Sequence, residues 1–221
     1  YIPQARMIFG KTYEGPVKSA RTIAHTFAND IVENLTGKKS MFDSKAVVSS
    51  TYGGLRQKSI FIMDWDGKNM KRISNLNILH ISPAWSSDNK KVAYTAYAYH
   101  PKAKTRNADL FMYELRTGKR WLVSYRKGIN SGAAFLPDKQ NMLLTLSQGG
   151  NPDIFRMTLD GKKLTRLTRG PNRSMNVEPA GSPNGRKIAF SSDRSGRPMI
   201  YVMNSNGSGV KRVTFAGKYN A

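Results

Sequence analysis

The chain has 221 residues, with 36 Lys and Arg against 14 Asp and Glu, a formal charge of +22, and no cysteine. That composition excludes disulfides, thiolate chemistry and zinc ribbons, and no apolar run is long enough to cross a bilayer. The charge attracts polyanions and acidic protein surfaces through a field that salt screens, without choosing between them. The length suits one large all-β domain or two modest ones. The chain opens at Tyr1 and not on a Met-led apolar run, so an export signal is expected to have been removed or to lie outside this sequence.

Residues 1–43 stand apart from the rest. The alternation over Arg6–Tyr13 predicts a strand. Ser19 is placed to cap a helix over about Ala20–Leu35, with Gly37 as its left-handed stop. Ile23, Phe27, Ile31 and Leu35 fall on one apolar stripe of that helix, expected to face a sheet or the following domain. One strand and one helix make too small a core to stand alone, so this segment reads as the tail of an α/β domain.

From Ser44 onward a single pattern recurs four times. Its aromatic marks Phe61, Phe111, Phe155 and Tyr201 are spaced by 50, 44 and 46 residues, and the closing hydroxyls Ser74, Ser124, Thr168 and Thr214 keep the same steps. Trp85, Phe135 and Gly181 each precede a turn, at Ser86-Ser87-Asp88, Leu136-Pro137-Asp138 and Ser182-Pro183-Asn184. A period in the forties with several short strands per unit is the mark of a β-propeller. The expected fold is therefore all-β, with blades at about 44–80, 81–130, 131–176 and 177–221, preceded by the remnant of a small α/β domain. The first unit lacks the aromatic-turn line. The loop at Ala96–Asn107 is the longest insertion and carries Tyr97, Tyr99, His100, Lys102, Lys104 and Arg106 on a face where ligands approach.

Most repeated residues have architectural jobs. Asp88, Asp138 and Asn184 can accept turn N–H groups, and Gly67, Gly118, Gly161 and Gly207 can take positive φ. Asp109 and Asp153 are expected to cap the start of the third strand, and the Phe/Tyr marks to pack between blades. Arg72, Arg166 and Arg212 each precede a closing hydroxyl by two positions, with Leu122 in that place in the second unit. Charge on outer strands guards their edges, and it also offers a basic rim to anionic envelope material. No hydrolase elbow, Walker A loop or His-Glu-x-x-His is present. His25, His80 and His100 share no metal spacing, so no metal site is expected. His25 is expected at a surface or domain contact and His100 in solvent, while His80 stands at a predicted channel mouth. Glycosidase chemistry needs two facing carboxylates, and Glu178 has no obvious partner. No cofactor is expected; a structural cation in the channel stays open, with no readable ligand set.

The line Ser82-Pro83-Ala84-Trp85-Ser86-Ser87-Asp88-Asn89-Lys90-Lys91-Val92-Ala93-Tyr94 is similar to the Pro-x-Trp-Ser-Pro-Asp-Gly line of TolB-type propellers. Glu178-Pro179, the stretch Phe190–Tyr201 and Arg212-Val213-Thr214 resemble a TolB blade. The stretch Ala24–Asp30 through Leu35-Thr36-Gly37 resembles the last helix of that family's N-terminal domain. Gly181 stands where the family has an aromatic, Ser87 where it has Pro, Leu136 where it has Ser, and Asn184 where it has Asp.

The resemblance implies a six-bladed propeller of which about four blades are present, so a truncated chain is expected. It also implies a non-enzymatic periplasmic adaptor of the Tol–Pal envelope system, supporting outer-membrane integrity and cell division. Its partners are the peptidoglycan-associated lipoprotein, bound at the propeller mouth, and the Tol proteins. On this chain the mouth is expected at the loops entering the innermost strands: Leu79, His80 and Ile81; Ile129, Asn130 and Ser131; Asn176, Val177 and Glu178. Two other readings stay open. One is a basic propeller that binds nucleic acid or an anionic wall polymer, although nothing beyond charge points to nucleic acid. The other is the regulatory propeller of a peptidase.

Overall fold

A computed structural model describes residues 9–74, 77–100 and 104–221. The chain divides into two compact units, one of residues 1–46 with 62–71 and one of residues 47–61 with 72–221. No helix among the described residues is long and apolar enough to cross a membrane.

The first unit is built around helix α1 (Ala20–Thr36). Gly37 ends it at φ 69° with its N–H bonded to Glu33 O at 2.8 Å, the left-handed stop expected from the sequence. Ser19 is not the cap. A 3-10 turn over Val17–Ser19 leads straight into the helix, which leaves Ser19 at φ −94°, ψ −1° with no side-chain cap bond. A capping residue needs the extended backbone that this turn denies it. No residue of α1 is buried, and Phe27 and Leu35 of the expected stripe are 47% and 62% exposed.

The strand expected over Arg6–Tyr13 is not found. Arg6, Met7 and Ile8 lie outside the described residues, and Phe9–Tyr13 form no strand. There Lys11 and Tyr13 both donate to Asp30 on α1, so side chains, not a ladder, tie this segment down. Asp64 gathers Lys45 at 2.6 Å, Arg21 at 2.7 Å and Asn69 at 2.7 Å. The Lys45 and Arg21 donors hold its carboxyl far below the usual carboxylate range.

Four antiparallel sheets follow, each in chain order. The first has three strands, β1 (Lys45–Ser50), β2 (Ser59–Asp64) and β3 (Lys71–Arg72). The second holds β4 (His80–Trp85), β5 (Lys91–His100), β6 (Thr105–Glu114) and β7 (Arg120–Ser124). The third holds β8 (Asn130–Phe135), β9 (Asn141–Leu146), β10 (Asp153–Thr158) and β11 (Leu164–Arg166). The fourth holds β12 (Asn176–Gly181), β13 (Lys187–Ser192), β14 (Met199–Asn204) and β15 (Lys211–Arg212). These are propeller blades.

The repeated residues do what their spacing predicted. Asp88, Asp138 and Asn184 accept the N–H groups of Lys90, Gln140 and Arg186 at 3.1, 2.9 and 3.0 Å. Gly67, Gly118, Gly161 and Gly207 all have positive φ. The closing hydroxyls have a specific acceptor role: Ser74, Thr168 and Thr214 take the N–H of Ile60, Ile154 and Ile200 at 3.1, 2.9 and 2.9 Å. Each hydroxyl lies just past the outer strand and reaches back to the second amide of the strand before it, satisfying a backbone donor at the end of the ladder.

Arg166 and Arg212, on the outermost strands of their sheets, also turn back. Their Nε atoms donate to the carbonyls of Thr168 and Thr214 at 3.0 and 2.6 Å.

Core packing runs between blades. Ala93, Leu110 and Met112 of the second blade meet Leu144, Leu146, Phe155 and Met157 of the third. Leu136, Leu143 and Ile154 of the third meet Ile188, Phe190, Met199 and Tyr201 of the fourth. Within this second seam a side chain on Gly181 would bring its Cβ to 2.8 Å from Leu136 Cδ2. Leu136 fills the space that the aromatic of the blade line vacates.

Candidate partner-binding face

An antiparallel four-stranded blade has two ends. Its first and third turns share one end, while the loop between its middle strands and the entry to the next blade share the other. Hydrogen bonds draw the loops of that second end together. Tyr97 N–H donates to Leu79 O at 3.0 Å, Ser147 N–H to Ile129 O at 3.2 Å, and Asn176 N–H to Pro152 O at 2.8 Å. The nine residues expected at the channel mouth all lie at this end.

Their burial divides them in two. His80, Asn130 and Asn176 open the inner strands β4, β8 and β12 and are 1%, 0% and 0% exposed. Leu79, Ile81, Ser131 and Val177 are half-buried, and Ile129 and Glu178 are exposed. The residue that opens each inner strand is therefore a scaffold hub, and the residues beside it are the more accessible surface.

Asn130 shows what a hub does. Its Nδ2 donates to the carbonyls of Arg126, Ala108 and Gly128 at 2.6, 2.9 and 3.2 Å. Its Oδ1 accepts from Ser124 Oγ at 2.6 Å and Arg126 N–H at 3.0 Å. One buried amide thus ties the end of one blade to the start of the next. Asn176 repeats the arrangement with charged partners: its Nδ2 donates to Asp153 Oδ1 at 2.9 Å, and its Oδ1 accepts from Arg194 at 2.6 Å. Arg194 lies over the rings of Phe190 and Tyr201 at 5.2 and 4.9 Å. At His80, burial pushes the imidazole below its ordinary value, so this hub is neutral near pH 7.

Two residues beyond each hub the inner strand bulges. Ser82, Gly132 and Glu178 all take positive φ, at 50°, 61° and 55°. The register shifts between Ile81 and Ala84, Ser131 and Ala134, and Val177 and Ala180. A bulge re-aims the side chain it carries, and in the fourth blade that side chain is the exposed carboxylate of Glu178.

Asp153 heads β10 as expected of a cap, but its bonds reach further. It is 1% exposed and accepts from Thr168 Oγ1 at 2.7 Å, from Asn176 and from Arg166. In the second blade the matching Asp109 lies within β6, and Leu122 stands where Arg166 would pair with it. His100 supplies the missing partner, its Nε2 at 2.6 Å from Asp109 Oδ2. The expectation of a solvated His100 is corrected, because the insertion is an extension of the β5–β6 ladder that carries His100 back over Asp109. Pro101, Lys102 and Ala103 of that insertion lie outside the described residues. Replacing Asp153 by Asn leaves one acceptor oxygen for Thr168 and Asn176, turns the oxygen facing Arg166 into an NH2 donor and removes the charge. It is expected to lower stability by about 2 kcal/mol, read from urea unfolding.

The sequence reading missed the hub series itself. Asn130, Asn176 and Asn220 are spaced by 46 and 44 residues, and His80 precedes them by 50. Asn220 repeats the geometry, with its N–H on Pro198 O at 2.9 Å and its Nδ2 on Ala216 O at 2.9 Å. The spacing is legible in the sequence, but burial is not, and at a loop entry a buried amide looks like a contact group.

A family model described as the TolB beta propeller domain matches residues 32–221. The chain belongs to the TolB propeller family. It is 35% identical over 164 residues to the Tol-Pal system protein TolB of Desulfosudis oleivorans, covering 74% of this chain and 35% of that protein. It is 34% identical to the protein TolB homolog of Chlorobium chlorochromatii, covering 87% and 41% of the two chains. The crystal structure of TolB from Acinetobacter baumannii matches with a TM-score of 0.80 at 30% identity, covering 97% of this chain and 52% of that one. The chain therefore spans well under half the length of these curated relatives.

Proposed function

We propose that this protein is a non-catalytic periplasmic adaptor of the Tol–Pal system, binding the peptidoglycan-associated lipoprotein on the loop-entry face of the blades. The observation that carries the reading is the division at that face. Buried hubs of repeated geometry hold up neighbours that are accessible and differ from blade to blade: Leu79 and Ile81, Ile129 and Ser131, Val177 and Glu178. A rigid frame with a variable rim is what recognition of a folded partner asks for. The non-catalytic part is supported by the use of the carboxylates, since Asp88, Asp138 and Asp160 serve their own turns and Asp109 and Asp153 serve the blade joints.

The test is calorimetric titration of the lipoprotein's soluble domain into the protein. Binding is expected, weakened roughly tenfold or more by Ile129→Asp and by Glu178→Lys, since few rim residues carry most of an interface's energy. No binding by the intact protein overturns the reading.

A further inference from the structure

The strands β5 and β6 have ten residues each, whereas β9, β10, β13 and β14 have six. The extra length is a two-stranded hairpin rising from the second blade at the loop-entry end. It pairs Tyr97 with Ala108, Ala98 with Asn107, Tyr99 with Arg106 and His100 with Thr105. A bare hairpin is marginal in water, and this one is pinned at its base. Asn107 Nδ2 donates to Arg126 O at 2.9 Å, its Oδ1 accepts from Gly128 N–H at 2.8 Å, and His100 meets the buried Asp109. Ala108, the partner of Tyr97, also bridges to Ile129 at the blade entry.

The pinned hairpin presents a distinctive surface. Tyr97 and Tyr99 are two residues apart, so they share one face, and they are 40% and 53% exposed. Tyr125 and Ile129, in the connection that the hairpin is bonded to, are 65% and 38% exposed. Arg106 stands opposite Tyr99 in the ladder, Lys104 is exposed two residues before Arg106, Lys127 is exposed between Tyr125 and Ile129 in sequence, and Asp109 is buried against His100. Exposed tyrosines held rigid beside cationic side chains are the make-up of an interface hot spot, because they bury large area at little cost in ordering.

We propose that this hairpin is the principal anchor for the protein partner, a folded domain that offers a pocket for Tyr97 and Tyr99 rimmed by Asp and Glu side chains. The sign of the rim follows from charge complementarity, which sets partner choice and association rate more than raw affinity. The inference rests on the adaptor reading above and assigns its energetic centre to a blade insertion instead of the channel rim.

The probe is again the lipoprotein's soluble domain, titrated against intact protein and variants whose melting is followed by circular dichroism. Tyr97→Ser with Tyr99→Ser is expected to weaken binding about 30-fold or more, at unchanged melting temperature. Arg106→Glu, a residue of the exposed ladder, is expected to slow association and flatten its salt dependence. Lys139→Glu, in a turn at the opposite blade end, is expected to change neither. Normal binding by the tyrosine variant and by Arg106→Glu, with loss in Glu178→Lys, overturns the hairpin assignment and leaves the adaptor reading standing. No binding by the unaltered protein overturns both.

Discussion

Asn130→Ala is expected to cost several kcal/mol of stability, about 3–5, although the side chain removed is small and polar. The size follows from what is left behind. Truncation strips the carbonyls of Ala108, Arg126 and Gly128 of their donor, and Ser124 Oγ and Arg126 N–H of their acceptor. Asn130 is 0% exposed, so water cannot reach in to replace it without opening the joint. Each buried polar group left unpaired costs roughly 1–3 kcal/mol, and partial relaxation brings the sum down to the range above. Asn130→Asp is expected to be at least as damaging, because it keeps the acceptor, loses the donors and adds a buried charge facing carbonyl oxygens. For a chain of this size a loss of that order lowers the melting temperature by roughly 10 °C. Urea unfolding and a thermal scan both read it. A loss under about 1 kcal/mol would mean that the joint rehydrates freely and that the hub is not structural.

The contrast between the hubs and the turns explains how far the sequence could be read. Turn chemistry is local: Asp138 accepts the N–H groups of Gln140 and Asn141, within three positions of itself. Residue type and spacing therefore reveal it, and the same holds for the glycines; the closing hydroxyls bond 14 residues away, and it is their repeated register that made them legible. A hub bonds across blades. Asn130 reaches back 22 residues to Ala108, and Asn176 reaches 23 to Asp153, distances at which a single sequence carries no pairing information. The same limit hid the fate of His100, placed over Asp109 only because the ladder extends past the usual blade length. The helix stripe failed for another reason. Periodicity tells which residues share a face, but not whether anything covers it, and Phe27 and Leu35 stay exposed among the described residues. Strand order alone fixes which loops share a blade end, and the nine residues expected at the mouth share one. The inward and outward residues of that end could not be told apart, since a bulge two positions beyond each hub breaks the alternation that would have separated them.

Gly181→Trp is expected to destabilise the protein by about 3 kcal/mol, and Leu136→Ser by a similar amount, yet the two together are expected to cost much less than their sum. At Gly181 the first atom of any side chain already stands 2.8 Å from Leu136 Cδ2, and its next neighbour there is Leu143 Cδ1 at 3.9 Å. Leu136 is 5% exposed within the seam formed by Leu143, Ile188 and Tyr201, so it has no free space to retreat into. Leu136→Ser empties that volume and leaves a hydroxyl in an apolar seam. The blade line resembled by the other repeats has the opposite pair, an aromatic at the position of Gly181 and Ser at that of Leu136. Each single change therefore breaks a complementary pair, while the double change installs the other complementary solution. A coupling of at least about 2 kcal/mol in a double-mutant cycle is the expected result. Additivity within about 0.5 kcal/mol would show that the two positions do not share the space, and that Gly181 is set by its backbone instead of by the leucine across the seam.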